Sequence, residues 1–303
     1  MTTIGPSPSS SSEPAHEPVL VREVVASMAP GPDGVYVDGT LGAGGHAQAL
    51  LDAGAGRVIG LDRDPAAIAI ATARLAGRGG FEAVHADYRD LDGVLAARGL
   101  AAVDGVLVDL GVSSMQLDDP SRGFSFRPGP LDMRMDPTTG PTLGDRLATV
   151  DEETLAGVIR EYGEERHARR VARSILRARD RGALTDTAAL ASAVRAGVRA
   201  GGWQRIDPAT RTFMALRLWT NAEIEGLEAF VDAAVARLAP AGRLVVIGFH
   251  SLENRIVKQA FRRLAADGTV RLLTRRAVAP DEAEVARNPR ARSAQLRAVE
   301  KAA

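Results

Sequence analysis

The sequence predicts a doubly wound α/β fold, a mostly parallel sheet carrying an inserted helical domain. Three observations carry that prediction. Between residues 32 and 109, short apolar runs alternate with helix-periodic segments, the rhythm of strand–helix–strand units. At 111–145 the rhythm gives way to a loop-like stretch rich in Gly, Pro, Ser and Asp, followed by helical sequence to about residue 216. The alternation then resumes. One sheet whose chain leaves after its fourth strand and later returns is the simplest topology.

Each element has its own signal. GVYVD reads as a strand, and AQALLDAG as a helix closed by glycine. RVIGLDRD is the second strand, followed by the helix PAAIAIATARLAG with Pro65 suited to its first turn. FEAVHAD, LDGVLAARG and VDGVLVDLG continue as strand, helix and strand. After the insertion come the helix NAEIEGLEAFVDAAVARLAP, the strand GRLVVIGFHS and the helix LENRIVKQAFRRLAA. ARSAQLRAVEK forms a last strand. No internal repeat is evident.

Composition sets bounds. The 303 residues suit one large domain, or one with a sizeable insertion. Aromatics are only 4%, so Ala, Val, Leu and Ile must build the core. The absence of cysteine excludes disulfides, thiolate metal sites and thiol nucleophiles. Apolar runs such as RLVVIGF are too short to span a bilayer, and no signal segment opens the chain, so a cytoplasmic protein without membrane partners is expected. Residues 1–15 are polar and Pro/Ser-rich, a disordered tail by composition. Basic and acidic residues balance at 38 each, yet arginines gather at 160–181, 205–217 and 255–297, which hints at an anionic partner.

In such sheets a ligand sits at the carboxyl ends of the strands, where strand order reverses. Residues 42–46 (GAGGH) follow the first strand and open a helix, but the third glycine of a dinucleotide fingerprint is missing. Asp62 ends the second strand 18 positions beyond Gly44, where a carboxylate can accept both ribose hydroxyls of an adenosine. Asp64 is the better placed to cap the helix at Pro65. Asp87 and Tyr88 close the third strand, where they could accept from the adenine amine and cover a ring face. Asp109 ends the fourth, beside the reaction centre. The layout serves both NAD enzymes and S-adenosylmethionine (SAM) methyltransferases; the missing glycine and the lack of an acid for hydride chemistry favour SAM.

The blocks VDGTLGAGGH, IGLDRDPAAIA, GVLVDLGVSSMQLDDPSRGFSF, GPLDMRMDP, YGEERHARRVARSI, PATRTFMALRLW, GFHSLENRIVK and NPRARSAQLR together resemble the RsmH (MraW) family of bacterial ribosomal RNA methyltransferases, over about residues 16–300. The resemblance implies a class I SAM-dependent methyltransferase fold with a helical insertion. It divides the chain into a methyltransferase domain (16–120 and 217–303) and an inserted helical domain with an active-site loop (121–216). It implies N4-methylation of cytidine 1402 in the 16S RNA of the small ribosomal subunit, with SAM released as S-adenosylhomocysteine, and is compatible with a homodimer. Its SAM contacts fall on Gly44, Gly45, His46, Asp62, Tyr88, Asp109 and Gln116. Tyr88 stands where phenylalanine is common, and Asp87 at a variable position.

A cytosine amine delocalises its lone pair into the ring, so an acceptor must hold one N–H and take up developing charge. Asp109 is the candidate, assisted by the Leu110 carbonyl; no metal is required. The segment 109–114 (DLGVSS) lacks the aromatic platform of many amino-methyltransferases, leaving Phe124 or Phe126 to stack the base or merely to anchor the loop. His46 fits packing around the methionine part of SAM, His250 and Ser251 a pocket lining, and Asp132, Arg134 and Asp136 a brace for the loop or, second to that, a contact to the nucleotide. At 100° per residue, Arg166, Arg169, Arg170, Arg173 and Arg177 share one helix face opposite Ala168, Val171, Ala172, Ile175 and Leu176, a candidate RNA-binding stripe. Arg211, Arg217, Arg290 and Arg292 are further candidates. Two rivals remain at this stage: an NAD-dependent oxidoreductase, and a SAM-binding assembly factor without catalysis.

Overall fold

The structure, a computed structural model, describes residues 18–198 and 207–303; the tail expected at 1–15 lies outside them. The first half runs α1 (Val21–Met28), β1 (Val35–Asp38), α2 (Gly45–Asp52), β2 (Arg57–Asp62), α3 (Pro65–Arg74), β3 (Phe81–His85), α4 (Leu91–Ala96) and β4 (Val103–Asp109). Six helices follow: α5 (Ser114–Asp118), α6 (Leu143–Thr149), α7 (Glu152–Gly163), α8 (Ala168–Asp180), α9 (Thr187–Gly197) and α10 (Ala209–Asn221). The chain ends with α11 (Leu227–Ala236), β5 (Leu238–Gly248), α12 (Ser251–Ala266), β6 (Val270–Leu272), α13 (Glu282–Arg287) and β7 (Gln295–Lys301).

The strands lie in the order β3-β2-β1-β4-β5-β7-β6, parallel except for β7, which is antiparallel to both neighbours. Continuous apolar strands fit a sheet covered on both faces. Val106 and Val108 of β4 pack on one side with α4, α11 and α12, while Leu107 packs on the other with α1 and α2. The period-two alternation of side chains makes both possible at once. Helices α6 to α10 bury a separate core, to which the apolar face of α8 contributes all five of its predicted residues.

The predicted strands and helices of the first half form, with β1 beginning one residue later than the sequence pattern suggested. Three differences have local causes. The helix expected from Asn221 begins only at Leu227, because Ala222 and Gly226 take left-handed conformations (φ 50° and 77°) that end α10 and delay α11. The loop-like stretch 111–145 contains α5 and the start of α6, each opened by a reciprocal capping box, Ser113 with Gln116 and Thr142 with Asp145. The short β6 and the eight-residue α1 gave too little periodicity to be read.

Two buried polar side chains tie this stretch to the sheet. Asp64 caps α3 by accepting from the Ala66 amide, and its other oxygen accepts from Gln116 Nε2 (2.9 Å) and Arg122 Nη1 (2.7 Å). Asn221 accepts from the Met135 amide and donates to the Met133 carbonyl, both at 2.7 Å. Asp132 and Arg134 form the fork expected of a brace, and Asp136 bonds Thr138 and approaches His85.

Candidate active site

Strand order reverses between β1 and β4, and the crevice outside their carboxyl ends is the site that such topology offers. A cavity of about 330 Å³ opens there, lined by the 39–43 turn, by 109–114, and by side chains from α10 and the end of β5. The turn is held closely. The Gly39 amide donates to the Leu107 carbonyl (2.7 Å), the Leu41 amide to the Leu61 carbonyl (2.8 Å), and the Asp109 amide to Thr40 Oγ1 (2.6 Å). A Cβ at Gly39 would stand 2.8 Å from Val108 Cγ1, so only glycine fits between the two strands.

Among the residues predicted to hold a cofactor, Gly45, His46, Asp62, Tyr88, Asp109 and Gln116 line the cavity. Gly44 does not. It caps α2 in a left-handed conformation, and a Cβ there would press on Ala71 and Leu75, so a glycine lets α2 pack closely on this region. Gln116 reaches the cavity with its polar ends committed, one to Asp64 and one to the Ser113 amide. Asp62 accepts one amide on each oxygen, from Gly42 and Asp64, both at 2.8 Å. A carboxylate has lone pairs beyond those two, enough for a ribose diol. Asp87 lines the cavity but spends its oxygens on Arg89 (2.8 and 2.7 Å) and Arg63 (3.2 Å), which leaves little for an adenine amine. Tyr88 meets Phe230 edge-on at 4.6 Å, which fixes its ring at the cavity wall.

The electrostatics are acidic around the glycine turn. Asp38, fully buried at the end of β1, has its carboxyl pushed up to about 7, first by burial and further by the charge of Asp62. Burial also raises Asp62, against the pull of its two amide donors. Asp109 is raised well above the usual carboxylate range by burial, then by Asp38 and Glu253, and its Oδ1 is buried without a hydrogen-bond partner among the described residues. Glu253 behaves oppositely. Burial pushes it up, but His250, Arg217 and the Phe249 amide together hold it below its ordinary value.

Such a cluster suits a cationic ligand and repels a pyrophosphate, so these residues fit SAM, whose sulfonium and amino groups are positive, better than a dinucleotide. Asp38, Thr40, Glu253 and Phe249 were missed in the sequence. For Asp38 the signal was available, since it ends β1 just as Asp62 and Asp109 end β2 and β4.

The two predicted stacking aromatics are elsewhere. Phe124 is buried in the helical core, and Phe126 packs edge-on against Phe213 at 4.7 Å; neither lines the cavity. The arginine stripe is also smaller than its helical wheel suggested. Arg170 forks onto the Gly197 carbonyl (3.1 and 3.0 Å), closing the end of α9, and Arg173 pairs with Glu152 (2.7 Å). Arg166, Arg169 and Arg177 are exposed, and Arg169 and Arg177 add to the positive field around Glu152. Arg290 makes a bidentate pair with Asp118 (3.1 and 2.6 Å) at the cavity mouth.

Fold and site together define a class I SAM-dependent methyltransferase architecture. The chain belongs to the MraW methylase family, whose model matches residues 13–302. It is 53% identical to "Ribosomal RNA small subunit methyltransferase H" of Anaeromyxobacter sp. (strain K), over 94% of this chain and 97% of that protein. It is 47% identical to the protein of the same name from Geobacter sulfurreducens, over 95% and 99% respectively. The methyl donor of this family is S-adenosylmethionine. No helix among the described residues is long and apolar enough to cross a membrane.

Proposed function

We propose that the chain methylates the N4 amine of cytidine 1402 in 16S ribosomal RNA, in the decoding region of the small ribosomal subunit in the cytoplasm. The small subunit named for the relatives supports the substrate class. The observation that carries the chemistry is Asp109, a carboxyl at the carboxyl end of β4 that lines the crevice and whose Oδ1 has no hydrogen-bond partner among the described residues. In this reading 16–120 and 217–303 work as the methyltransferase domain, and 121–216 as an inserted helical domain that closes over it.

S-adenosylmethionine supplies, when bound, an electrophilic methyl group on its sulfonium. Asp62 holds the ribose hydroxyls, and Tyr88 walls the adenine side. Gly45 and His46 line the methionine end, and Asp38, fully buried outside the cavity lining, adds acidic charge near it. Asp109 accepts an N–H of the cytosine amine, which localises the nitrogen lone pair, and then takes the proton released as the new N–C bond forms. A carboxyl whose pKa lies well above the ordinary range is the stronger base for that step. Thr40, bonded to the Asp109 amide, fixes the backbone from which the carboxyl projects.

Mass spectrometry of 16S RNA from cells lacking this chain tests the reading. The N4-methyl group at position 1402 should disappear and return with the wild-type chain. A modification that persists in its absence sinks the proposal.

A further inference from the structure

Resting on the cytosine-N4 reading, we propose that Phe249 and Arg217 form the subsite for the target base, Phe249 as stacking platform and Arg217 as the donor that reads the pyrimidine N3 and O2. The two converge on one point. Gly111, two residues beyond Asp109, has φ +106°, and a Cβ built there would lie 3.8 Å from Phe249 Cδ2 and 3.9 Å from Arg217 Nη2. All three residues line the cavity, whereas Phe124 and Phe126 do not. The platform absent from the 109–114 segment is therefore supplied from the end of the neighbouring strand β5.

Both groups are held. The Phe249 amide donates to Glu253 Oε2 at 2.8 Å, which fixes the chain where β5 turns into α12. Arg217 reaches in from α10 and spends Nε and Nη2 on Glu223 (2.9 and 3.0 Å), leaving Nη1 without a partner among the described residues. The pair is largely buried, with 15% and 7% of the two side chains exposed. Removing two charges from water is costly unless the remaining donors find use, and a guanidinium presents them in a fixed plane.

Cytosine offers a donor at N4 and acceptors at N3 and O2. Asp109 takes the first and Arg217 the others. Uracil presents an acceptor at position 4 and a donor at N3, so both protein groups would oppose it. The pair thus reads the base as well as placing it.

The test uses the full chain and small subunits reconstituted with 16S RNA carrying cytidine or 3-deazacytidine at the target position. The change in intrinsic amine reactivity is common to every enzyme variant and cancels in a double cycle. Arg217→Met should lower kcat/KM on cytidine and lose sensitivity to the missing N3, giving a coupling of at least about tenfold. Phe249→Ala should lower kcat/KM on both RNAs by about tenfold or more, with Phe249→Tyr restoring most of it.

SAM affinity within about threefold of wild type certifies that each variant is folded and separates the base subsite from the donor site. Should Arg217→Met unfold, the double variant Arg217→Met/Glu223→Gln, which also removes the orphaned carboxylate, supplies the same cycle. Coupling within about twofold, or Phe249→Ala at the wild-type kcat/KM, overturns the subsite. A wild-type chain that leaves cytidine subunits unmethylated overturns the parent reading, and the subsite falls with it.

Discussion

His46 Nδ1 stands 4.0 Å from Asp109 Oδ2, while His46 Nε2 lies 2.8 Å from the Val19 carbonyl. A carbonyl only accepts, so His46 Nε2 donates to it and the ring is held with Nδ1 on the Asp109 side. The Asp109 carboxyl is held well above the usual carboxylate range, first by burial and then by the charges of Asp38 and Glu253.

A pH dependence follows. The carboxylate is the active form, so methylation should decline as pH falls through the raised pKa, with a midpoint well above that of an ordinary aspartate. Asp109→Asn should cut kcat by about 10²–10⁴ while leaving SAM affinity within a few-fold. Initial rates from pH 5 to 9, together with binding calorimetry, check both. Full activity in Asp109→Asn would remove the carboxyl from the mechanism.

Asp38 predicts a stability profile. Its folded-state pKa of about 7 exceeds the unfolded value of 3.8, so the native state binds the proton more tightly. Between those values stability falls as pH rises, by up to about 4 kcal/mol, and it levels off above the folded pKa. Asp38→Asn keeps an oxygen for the Thr40 amide and removes the buried charge. It should flatten this slope, raise stability at pH 8 and weaken SAM binding. Urea unfolding at pH 5 and 8 gives the answer, and a slope unchanged by the substitution would refute the assignment.

The strands were legible because sheets buried on both faces need continuous apolar runs, and Asp62 and Asp109 because each ends such a run. The insertion was legible only as helix. What fastens it is not periodic: Asp64 meets Gln116 and Arg122 from 52 and 58 residues away, and Asn221 meets Met133 across 88. The arginine stripe shows the same limit. A helical wheel places Arg170 beside Arg169, but only tertiary packing reveals that Arg170 closes α9. Phe124 and Phe126 carried the right chemistry for a platform and were drawn into the helical core instead.

The Asp64–Arg122 pair can be separated from its surroundings. Only 2% of the Asp64 side chain is exposed, so Arg122→Met leaves a buried charge with Gln116 as its remaining side-chain donor. The expected loss is about 3–5 kcal/mol. Adding Asp64→Asn removes that charge while retaining an oxygen to cap α3, so the double variant should recover part of the loss. Chemical denaturation of the two single variants and the double variant measures the coupling. Strict additivity would show that the pair does not fasten the 111–145 stretch.

RNA binding should divide the arginines of α8 and its leading turn into two groups. Arg166, Arg169 and Arg177 are exposed, so each is available to a phosphate. Arg173 is held by an exposed pair with Glu152, which solvent screens and a phosphate can exchange. Changing Arg166, Arg169 and Arg177 together to Glu should weaken binding to small-subunit RNA and reduce the slope of log affinity against log salt by about 2–3. Arg170→Ala should act otherwise, lowering stability by about 1–3 kcal/mol through the orphaned Gly197 carbonyl while leaving the salt slope unchanged. Filter binding from 50 to 300 mM salt, beside thermal melts, distinguishes the two groups. An unaltered slope in the triple variant would take this helix out of the RNA-binding surface, and a slope altered by Arg170→Ala would mean that its guanidinium leaves the carbonyl for phosphate.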